Sequence, residues 1–173
     1  MSLVVLLGGA RSGKSGLAAR LAAASGAPVV FVATGEPGDE EMAARIDRHR
    51  EERPREWTTV EEPRRLLDAV AGAPAGSCLV LDCLSVWVAN LIEAAPADEI
   101  EREALAAAAA AARRQATTIA VSNEVGLGLV PTTPLGRAYR DLLGRVNQAW
   151  VAVADDAMLV VAGRGLRLGL VDA

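Results

Sequence analysis

One short segment of the chain has the residue types and spacing needed to hold phosphate groups. It spans Gly8–Ser15, reads GGARSGKS and fits the pattern G-x-x-x-x-G-K-[ST]. In this pattern a run of backbone N–H groups and a helix N-terminus converge on one point, where an oligophosphate is attracted. We expect the side chain of Lys14 to reach the outer phosphates and Ser15 Oγ to hold Mg²⁺. The segment therefore predicts a nucleoside triphosphate site in which Lys14 is catalytic.

A second candidate is a carboxylate that ends an apolar strand. Cys78–Asp82 is apolar except for its last residue, which is the form of the second motif of P-loop enzymes. A carboxylate there is expected beside the phosphate-binding loop, where it orients Mg²⁺ directly or through water. The predicted metal ligands are therefore Ser15 and Asp82.

The third candidate is His49, the only histidine in the chain. Met42, Ile46 and His49 recur at the spacing of one helical stripe. A neutral imidazole near a triphosphate can attack phosphorus and form a phosphoramidate, which divides one transfer into two steps. The alternative is a histidine on the helix surface with no role. The spacing does not choose between these two interpretations.

The elements around the phosphate-binding loop match what the pattern requires. Leu3–Leu7 is a continuous apolar run, typical of a buried parallel strand. Leu17–Ala24 is rich in strong helix formers and is followed by Ser25-Gly26, which ends a helix. We therefore expect a P-loop between a strand and a helix rather than a chance glycine-rich turn.

The rest of the chain alternates strands with helices, which predicts a single α/β domain over residues 1–173. The sheet should be mostly parallel with helices on both faces. The predicted strands are 3–7, 29–33, 78–82, 117–121 and 158–162, with a short extended piece at 57–61 and an edge hairpin through 166–168. The predicted helices are 17–24, 40–51 with Asp39 as N-cap, one beginning near Pro63, 84–94, 98–115 and 135–155.

Composition and charge exclude several classes of partner. The net charge is −4 and only 3% of residues are aromatic, which argues against capture of nucleic acid or of an anionic membrane surface. The apolar runs are too short to span a bilayer. Cys78 and Cys83 form no C-x-x-C pair and are expected to be reduced thiols. We therefore expect a cytoplasmic protein.

A longer set of residues resembles one family. The block 39–61 reads D-x-E-M-x-x-R-I-x-x-H-x-x-x-R-P-x-x-W-x-T-x-E, and it follows the P-loop and a strand that ends Ala33-Thr34-Gly35. Further on stand NEVGLGLVP at 123–131 and GRVNQ at 144–148. Over essentially its whole length the chain closely resembles the bifunctional adenosylcobinamide kinase/adenosylcobinamide-phosphate guanylyltransferase of cobalamin biosynthesis.

The resemblance implies two reactions on one corrinoid substrate. The first phosphorylates the aminopropanol hydroxyl of adenosylcobinamide with ATP or GTP. The second transfers GMP from GTP to that phosphate, giving adenosylcobinamide-GDP and pyrophosphate, through a GMP-histidine at the position matching His49. The resemblance also implies a RecA-like fold and a homotrimer.

The resemblance further implies a set of nucleotide contacts. In this sequence they correspond to Gly8, Gly9, Ala10, Arg11, Ser12, Gly13, Lys14, Ser15, Ala33, Thr34, Gly35, Arg50, Glu51, Glu52, Arg53, Glu61 and Asp82. Position 82 is often Glu in relatives, so whether Asp82 meets the base, the ribose or the metal stays open. Asn123 and Glu124 end a predicted strand at the same sheet edge, where they contact corrinoid or metal or only form a turn.

Two other functions fit the P-loop without the transferase step. One is a plain small-molecule kinase in which His49 has no role. The other is a non-catalytic nucleotide-binding subunit. Covalent labelling by GTP separates the bifunctional enzyme from both, because only that enzyme forms a nucleotidyl-histidine.

Overall fold

The computed structural model describes residues 2–38, 40–51 and 53–169. The elements in chain order are β1 (Leu3–Leu7), α1 (Lys14–Ala24), β2 (Val29–Ala33), α2 (Glu40–Glu51), β3 (Thr58–Glu61), α3 (Leu66–Gly72), β4 (Cys78–Asp82), α4 (Leu84–Leu91), α5 (Ala97–Ala112), β5 (Thr118–Val121), α6 (Pro134–Ala152), β6 (Asp156–Val161) and β7 (Arg164–Arg167).

The strands form one sheet in the order β3-β2-β4-β5-β1-β6-β7. Every pair is parallel except β6 with β7, which form the predicted antiparallel hairpin at one edge. Because the parallel strands point the same way, their carboxyl ends lie along one edge of the sheet, where α/β proteins bind ligands.

Side chains alternate between two apolar clusters, one on each face of the sheet. Leu3, Val5 and Leu7 of β1 pack with α3, α4, α5 and α6, whereas Leu6 packs with Ala18 and other residues of α1. The alternation follows from the two-residue period of a strand. Helices therefore cover both faces, and the prediction of a mostly parallel α/β sheet is confirmed.

The structure corrects some predicted boundaries. Helix α3 begins at Leu66 rather than near Pro63, because the Glu62 carboxylate accepts hydrogen bonds from the backbone N–H groups of Arg64 and Arg65 in a turn before the helix. Helix α6 begins at Pro134, is capped by Thr133 and ends at Ala152, three residues before the predicted end. Asp39, the predicted N-cap of α2, lies outside the described residues.

Within the described ranges, no helix combines the length and the apolar character needed to cross a bilayer. Cys78 and Cys83 are both free thiols, as expected.

Candidate active site

The loop between β1 and α1 has a backbone that two glycines make possible. Gly8 has φ +150°, and a Cβ there would lie 2.2 Å from the carbonyl oxygen of Val160. Gly13 has φ +102° and stands at the N-cap of α1, where it leaves the first N–H groups of the helix uncovered by a side chain. These N–H groups and the helix dipole form an anion site.

Lys14 is buried at the base of this loop. It is 7% exposed, and its Nζ donates hydrogen bonds to the carbonyl oxygens of Gly8 and Gly9, each at 2.8 Å. The ammonium is therefore held within the loop, and its position is fixed by backbone atoms before any phosphate binds.

The ends of four neighbouring strands form a row beside the loop. In the register of the sheet, Ala33 pairs with Glu61 on one side and with Asp82 on the other, and Asp82 pairs with Val121. Val121 in turn pairs with Leu6, two residues before the P-loop begins. Parallel pairing thus brings together side chains that are far apart in sequence.

Helix α2 covers part of this edge. Gly35 follows β2, and a Cβ on it would lie 3.2 Å from the Ile46 side chain, so the absence of a side chain lets the helix approach closely. Ala44, Ile46 and Arg48 of α2 line the same cavity as the P-loop. The helix that carries His49 therefore forms one wall of the phosphate-binding cavity.

The cavity has a volume of about 680 Å³ and an excess of positive charge. Its lining includes four cationic side chains and two carboxylates, namely Arg11, Lys14, Arg48, Arg53, Glu61 and Asp82. An enclosed site with surplus positive charge attracts polyanions such as nucleoside triphosphates.

Arg53 is fixed in this cavity by an aromatic pair. Its Cζ lies 4.0 Å from the ring centroid of Phe31, and Phe31 stacks on Trp57 with centroids 6.3 Å apart. Burial lowers the pKa of Arg53 and the nearby Asp82 carboxylate raises it, with burial the larger effect. Among the described residues, its buried Nε has no hydrogen-bond partner.

Cys83 also lines the cavity, but its chemistry does not suit a nucleophile. Burial raises the pKa of its thiol, and the neighbouring Asp82 carboxylate raises it further. The thiolate, which is the reactive form, is therefore disfavoured.

The structure brings most of the predicted nucleotide contacts into this cavity. Those that line it are Ala10, Arg11, Ser12, Gly13, Lys14, Ser15, Ala33, Gly35, Arg53, Glu61 and Asp82. Gly8 and Gly9 are not among the lining residues, and their carbonyl oxygens accept hydrogen bonds from Lys14.

Other predicted contacts are placed elsewhere. Thr34 is fully buried and bonded to Cys83. Arg50 pairs with Glu61 and, at 3.0 Å, with Asp47. Glu51 is exposed at the end of α2. Glu52 and the side chain of His49 lie outside the described part of the structure; the backbone places His49 between Arg48 and Arg50 on α2.

The lining includes residues that the sequence analysis did not select. They are Gly16, Ala44, Ile46, Arg48, Cys83, Val86 and Val121; Asn123, expected either to contact a ligand or to form a turn, also lines the cavity. Arg48 could have been selected from the sequence because it directly precedes His49, the predicted nucleophile. Ser15 and Asp82 share the cavity, and the described residues hold no cluster of three or more His, Cys, Asp or Glu side chains suited to a metal ion.

Comparisons with known proteins agree with the resemblance. A family model described as cobinamide kinase / cobinamide phosphate guanyltransferase matches residues 4–168. The chain is 43% identical over 160 residues to the bifunctional adenosylcobalamin biosynthesis protein CobP of Pseudomonas aeruginosa, covering 92% of each sequence. It is 37% identical over 180 residues to the protein CobU of Escherichia coli, covering 96% of this chain and 99% of that protein.

Solved structures show the same fold at much lower identity. The flagellar accessory protein FlaH from Methanocaldococcus jannaschii superposes with a TM-score of 0.50 at 17% identity, covering 91% of this chain and 70% of FlaH. The RadB recombinase superposes with a TM-score of 0.51 at 16% identity, covering 91% and 73%. These similarities concern the fold alone, and they confirm the RecA-like α/β prediction.

Proposed function

The chain belongs to the cobinamide kinase / cobinamide phosphate guanyltransferase family, and we propose that it catalyses both reactions of that family at the cavity between the P-loop and α2. The first reaction transfers the γ-phosphoryl group of ATP or GTP to the aminopropanol hydroxyl of adenosylcobinamide. The second transfers GMP from GTP to the new phosphate, giving adenosylcobinamide-GDP and pyrophosphate.

The proposal depends on one observation: the P-loop and α2 line the same electropositive cavity. The P-loop supplies an anion site, and α2, which carries the only histidine of the chain, forms a wall of the same cavity. The backbone of α2 at position 49 directly follows Arg48, which lines this cavity together with the P-loop. The geometry thus supports a transferase as well as a kinase.

In the transferase reaction His49 is the proposed nucleophile. A nitrogen of its neutral imidazole attacks the α-phosphorus of GTP, the bond to the bridging oxygen breaks, and pyrophosphate leaves. The proton on the other ring nitrogen passes to solvent as the N–P bond forms, and the ring regains a proton from solvent when that bond breaks. A phosphate oxygen of adenosylcobinamide phosphate then attacks the same phosphorus, the N–P bond breaks, and the imidazole is regenerated.

Cationic groups of the cavity stabilise the charge that develops on the phosphates. Lys14 and Arg53 are proposed to act in both reactions, since each is fixed in position before substrate binds. Ser15 and Asp82 offer the hydroxyl and carboxylate oxygens that Mg²⁺ prefers, and both line the cavity. When bound, Mg²⁺ would supply further positive charge next to the phosphates.

The proposed nucleotide contacts outside the lining complete the site on the α2 side. The segment Arg50–Arg53 and Glu61 are proposed to contact GTP, because Arg53 and Glu61 line the cavity and Arg50 is paired with Glu61. Thr34 is proposed to support the nucleotide contacts by position, since its backbone N–H and carbonyl oxygen bind Asp82 and Asn90 and its hydroxyl binds Cys83.

We further propose an assembly and a location for the enzyme. A homotrimer is proposed from the family resemblance, and static light scattering of the purified protein tests it. A cytoplasmic location is proposed because the substrates are intracellular nucleotides and both cysteines are free thiols.

The decisive experiment is labelling with GTP that carries ³²P at the α-position. We expect label to remain on the denatured protein, to resist alkali and to be released by acid, as phosphoramidates are. Mass spectrometry of a digest should place the added GMP on His49. The His49→Ala variant should not be labelled.

The control is Glu40→Ala, an exposed position at the start of the same helix, which should be labelled like the wild type. Label that persists in His49→Ala would refute the proposed nucleophile. Phosphorylation of cobinamide without any covalent label or pyrophosphate release would instead indicate the plain kinase.

A further inference from the structure

A second cavity, of about 530 Å³, lies on the face of the sheet that α6 covers. It contains residues from two sequence motifs, 123–131 and 144–148, of which only Asn123 lines the P-loop cavity. Glu124 and Gly126 come from the first, and Gly144, Asn147 and others come from the second. The fold therefore brings both motifs to one place, outside the P-loop cavity.

Asn147 is the buried polar group of this cavity. Its side chain is 4% exposed, and its Nδ2 donates to the carbonyl oxygen of Asn123 at 3.1 Å. Its Oδ1 is buried and has no hydrogen-bond partner among the described residues. A buried amide oxygen without a donor destabilises the unliganded protein. The cavity therefore has an acceptor that a ligand with N–H groups can satisfy.

The charges of this cavity balance, unlike those of the P-loop cavity. Arg140 and Arg145 are matched by Glu124 and Asp141. Arg140 binds Asp141 at 2.9 Å, and Arg145 pairs with Glu101 next to the cavity. With no surplus of positive charge, the cavity has little attraction for a triphosphate. Its polar groups suit an uncharged ligand that both donates and accepts hydrogen bonds, such as a carboxamide.

The two cavities are separated by very little protein. Asn123 lines the nucleotide cavity and the next residue, Glu124, lines the second. The backbone N–H of Glu124 donates to the carbonyl oxygen of Gly8 at 3.1 Å, so this strand end is attached to the P-loop itself. A ligand in the second cavity can extend a flexible arm past Asn123 toward the phosphates.

The chain between the two lining segments offers apolar surface. Gly126 and Arg140 line the cavity, and the residues between them are outside its lining. Between them Leu127, Leu129 and Val130 are 82%, 96% and 64% exposed. Three large aliphatic side chains in contact with water favour contact with a broad apolar ligand.

We propose that the second cavity binds the carboxamide-bearing edge of the corrinoid substrate, an inference that rests on the proposed function. Asn147 Oδ1 accepts a hydrogen bond from a peripheral carboxamide, and the exposed leucines pack against the macrocycle. The aminopropanol arm then passes Asn123 and presents its hydroxyl, or later its phosphate, to the nucleotide cavity.

The test is to fill the cavity without disturbing the nucleotide site. Gly144 lies on α6 and lines the cavity, and a Cβ there would meet nothing within 4 Å. The Gly144→Phe variant should therefore fold and occupy the space. Gly72→Phe on α3 is the matched control, because a Cβ at Gly72 also meets nothing within 4 Å. A second variant, Asn147→Leu, removes the buried acceptor.

Binding of cobinamide is measured by equilibrium dialysis with a non-hydrolysable GTP analogue present, using the visible absorbance of the corrin. We expect the Kd to rise at least tenfold in Gly144→Phe and in Asn147→Leu and to stay unchanged in Gly72→Phe. Covalent labelling by α-labelled GTP should remain at the wild-type level in Gly144→Phe.

Three results would overturn the inference. Wild-type affinity for cobinamide in both cavity variants would place the corrinoid elsewhere and leave the proposed function intact. Weaker binding accompanied by a change of oligomeric state in light scattering would identify the cavity as a contact between copies of the chain. Failure of the wild-type protein to bind cobinamide at all would refute the proposed function together with the inference.

Discussion

Thr34 and Cys83 are joined by two hydrogen bonds that run in opposite directions. Thr34 Oγ1 donates to the Cys83 carbonyl oxygen at 2.8 Å and accepts from the Cys83 backbone N–H at 2.9 Å. Asn90 Nδ2 donates to the Thr34 carbonyl oxygen at 2.7 Å. This group connects the ends of β2 and β4, and it therefore fixes the distance between Ala33 and Asp82 in the nucleotide cavity.

Replacing Thr34 with Val should destabilise the fold. The change keeps the shape of the side chain but leaves the partly buried N–H of Cys83 without this acceptor, while the Cys83 carbonyl oxygen keeps its hydrogen bond from the Trp87 N–H. We expect a loss of about 2–3 kcal/mol in the free energy of unfolding, measured by urea denaturation. Thr34→Ser is the control and should lose less than about 1 kcal/mol, since it keeps the hydroxyl. Equal stability of Thr34→Val and wild type would contradict this role.

Replacing Lys14 with Met should abolish most of both activities. Nζ is held against the Gly8 and Gly9 carbonyl groups, next to the expected phosphates. Loss of one preorganised charge typically lowers kcat by about 10²–10³-fold, and we expect this for phosphorylation and for GMP transfer. Lys14→Arg should not restore the two activities. Lys14 is only 7% exposed, and the space around its ammonium is too small for the larger guanidinium.

The sequence offers an independent check of this placement, because Lys14 is its only lysine. Pyridoxal phosphate followed by borohydride should modify Lys14 in the wild-type protein, and GTP should protect it. Modification at an unchanged rate when GTP is present would show that the ammonium lies away from the bound phosphates.

The phosphate-binding half of the site could be predicted because its determinants are local. The P-loop is a contiguous segment, and two of its three positive-φ positions, Gly8 and Gly13, are glycines in the pattern itself, the third being Arg11. Asp82 could be predicted because it ends an apolar strand, and parallel strands end at a common edge. Strand positions were accurate to within two residues for the same reason, since each is a short continuous apolar run.

The other half of the site could not be predicted, because it depends on contacts between distant segments. Arg48 shares the cavity with Ser15 only because Gly35 allows α2 to lie close to the sheet edge. The stacking of Arg53 on Phe31 joins two elements through a loop whose path no periodicity specifies. Helix α3 begins later than predicted because the Glu62 carboxylate accepts hydrogen bonds from the N–H groups of Arg64 and Arg65. The preference of proline for the first helical position gives no indication of these bonds.

Arg114 stabilises a turn far from the site, and its loss should affect stability alone. Its guanidinium donates to the carbonyl oxygens of Ala73, Pro74 and Ser77 at 2.9, 3.0 and 2.8 Å. Arg114→Met should lower the free energy of unfolding by about 2–3 kcal/mol, because charged donors form strong hydrogen bonds. The adjacent exposed Arg113→Met should change it by less than about 0.5 kcal/mol. The fraction of protein labelled by GTP should be unchanged in both, and reduced labelling of folded Arg114→Met would contradict a purely structural role.

The only tyrosine of the chain, Tyr139, should titrate late. Burial raises its pKa to about 12, and its hydroxyl donates to the Ser85 carbonyl oxygen at 3.1 Å. Because the pKa in the folded state exceeds the value of about 10 in the unfolded state, the unfolded chain releases its proton first. The resulting stabilisation is full below pH 10 and is lost as the pH rises toward 12.

Absorbance at 295 nm measures this titration directly, and circular dichroism of the same samples shows at which pH the chain unfolds. Tyr139→Phe should remove both the absorbance change and this part of the alkaline loss of stability. A phenolate midpoint near pH 10 in folded protein would contradict the burial of the hydroxyl.

Replacing Arg53 with Lys should weaken GTP binding although the charge is conserved. The guanidinium lies over the Phe31 ring and presents a planar fork of donors suited to phosphate, whereas an ammonium at this position is a single point charge on a flexible stem. We expect the Kd of a non-hydrolysable GTP analogue to rise about tenfold, which corresponds to about 1.4 kcal/mol. Arg113→Lys, an exposed position outside the cavity, is the control and should bind like wild type.

If Arg53→Lys bound the analogue with wild-type affinity, the stacked arginine would be a structural support of β2 rather than part of the nucleotide site. Phe31→Leu separates the two roles further, since it should raise the same Kd only if the ring orients Arg53 toward the ligand.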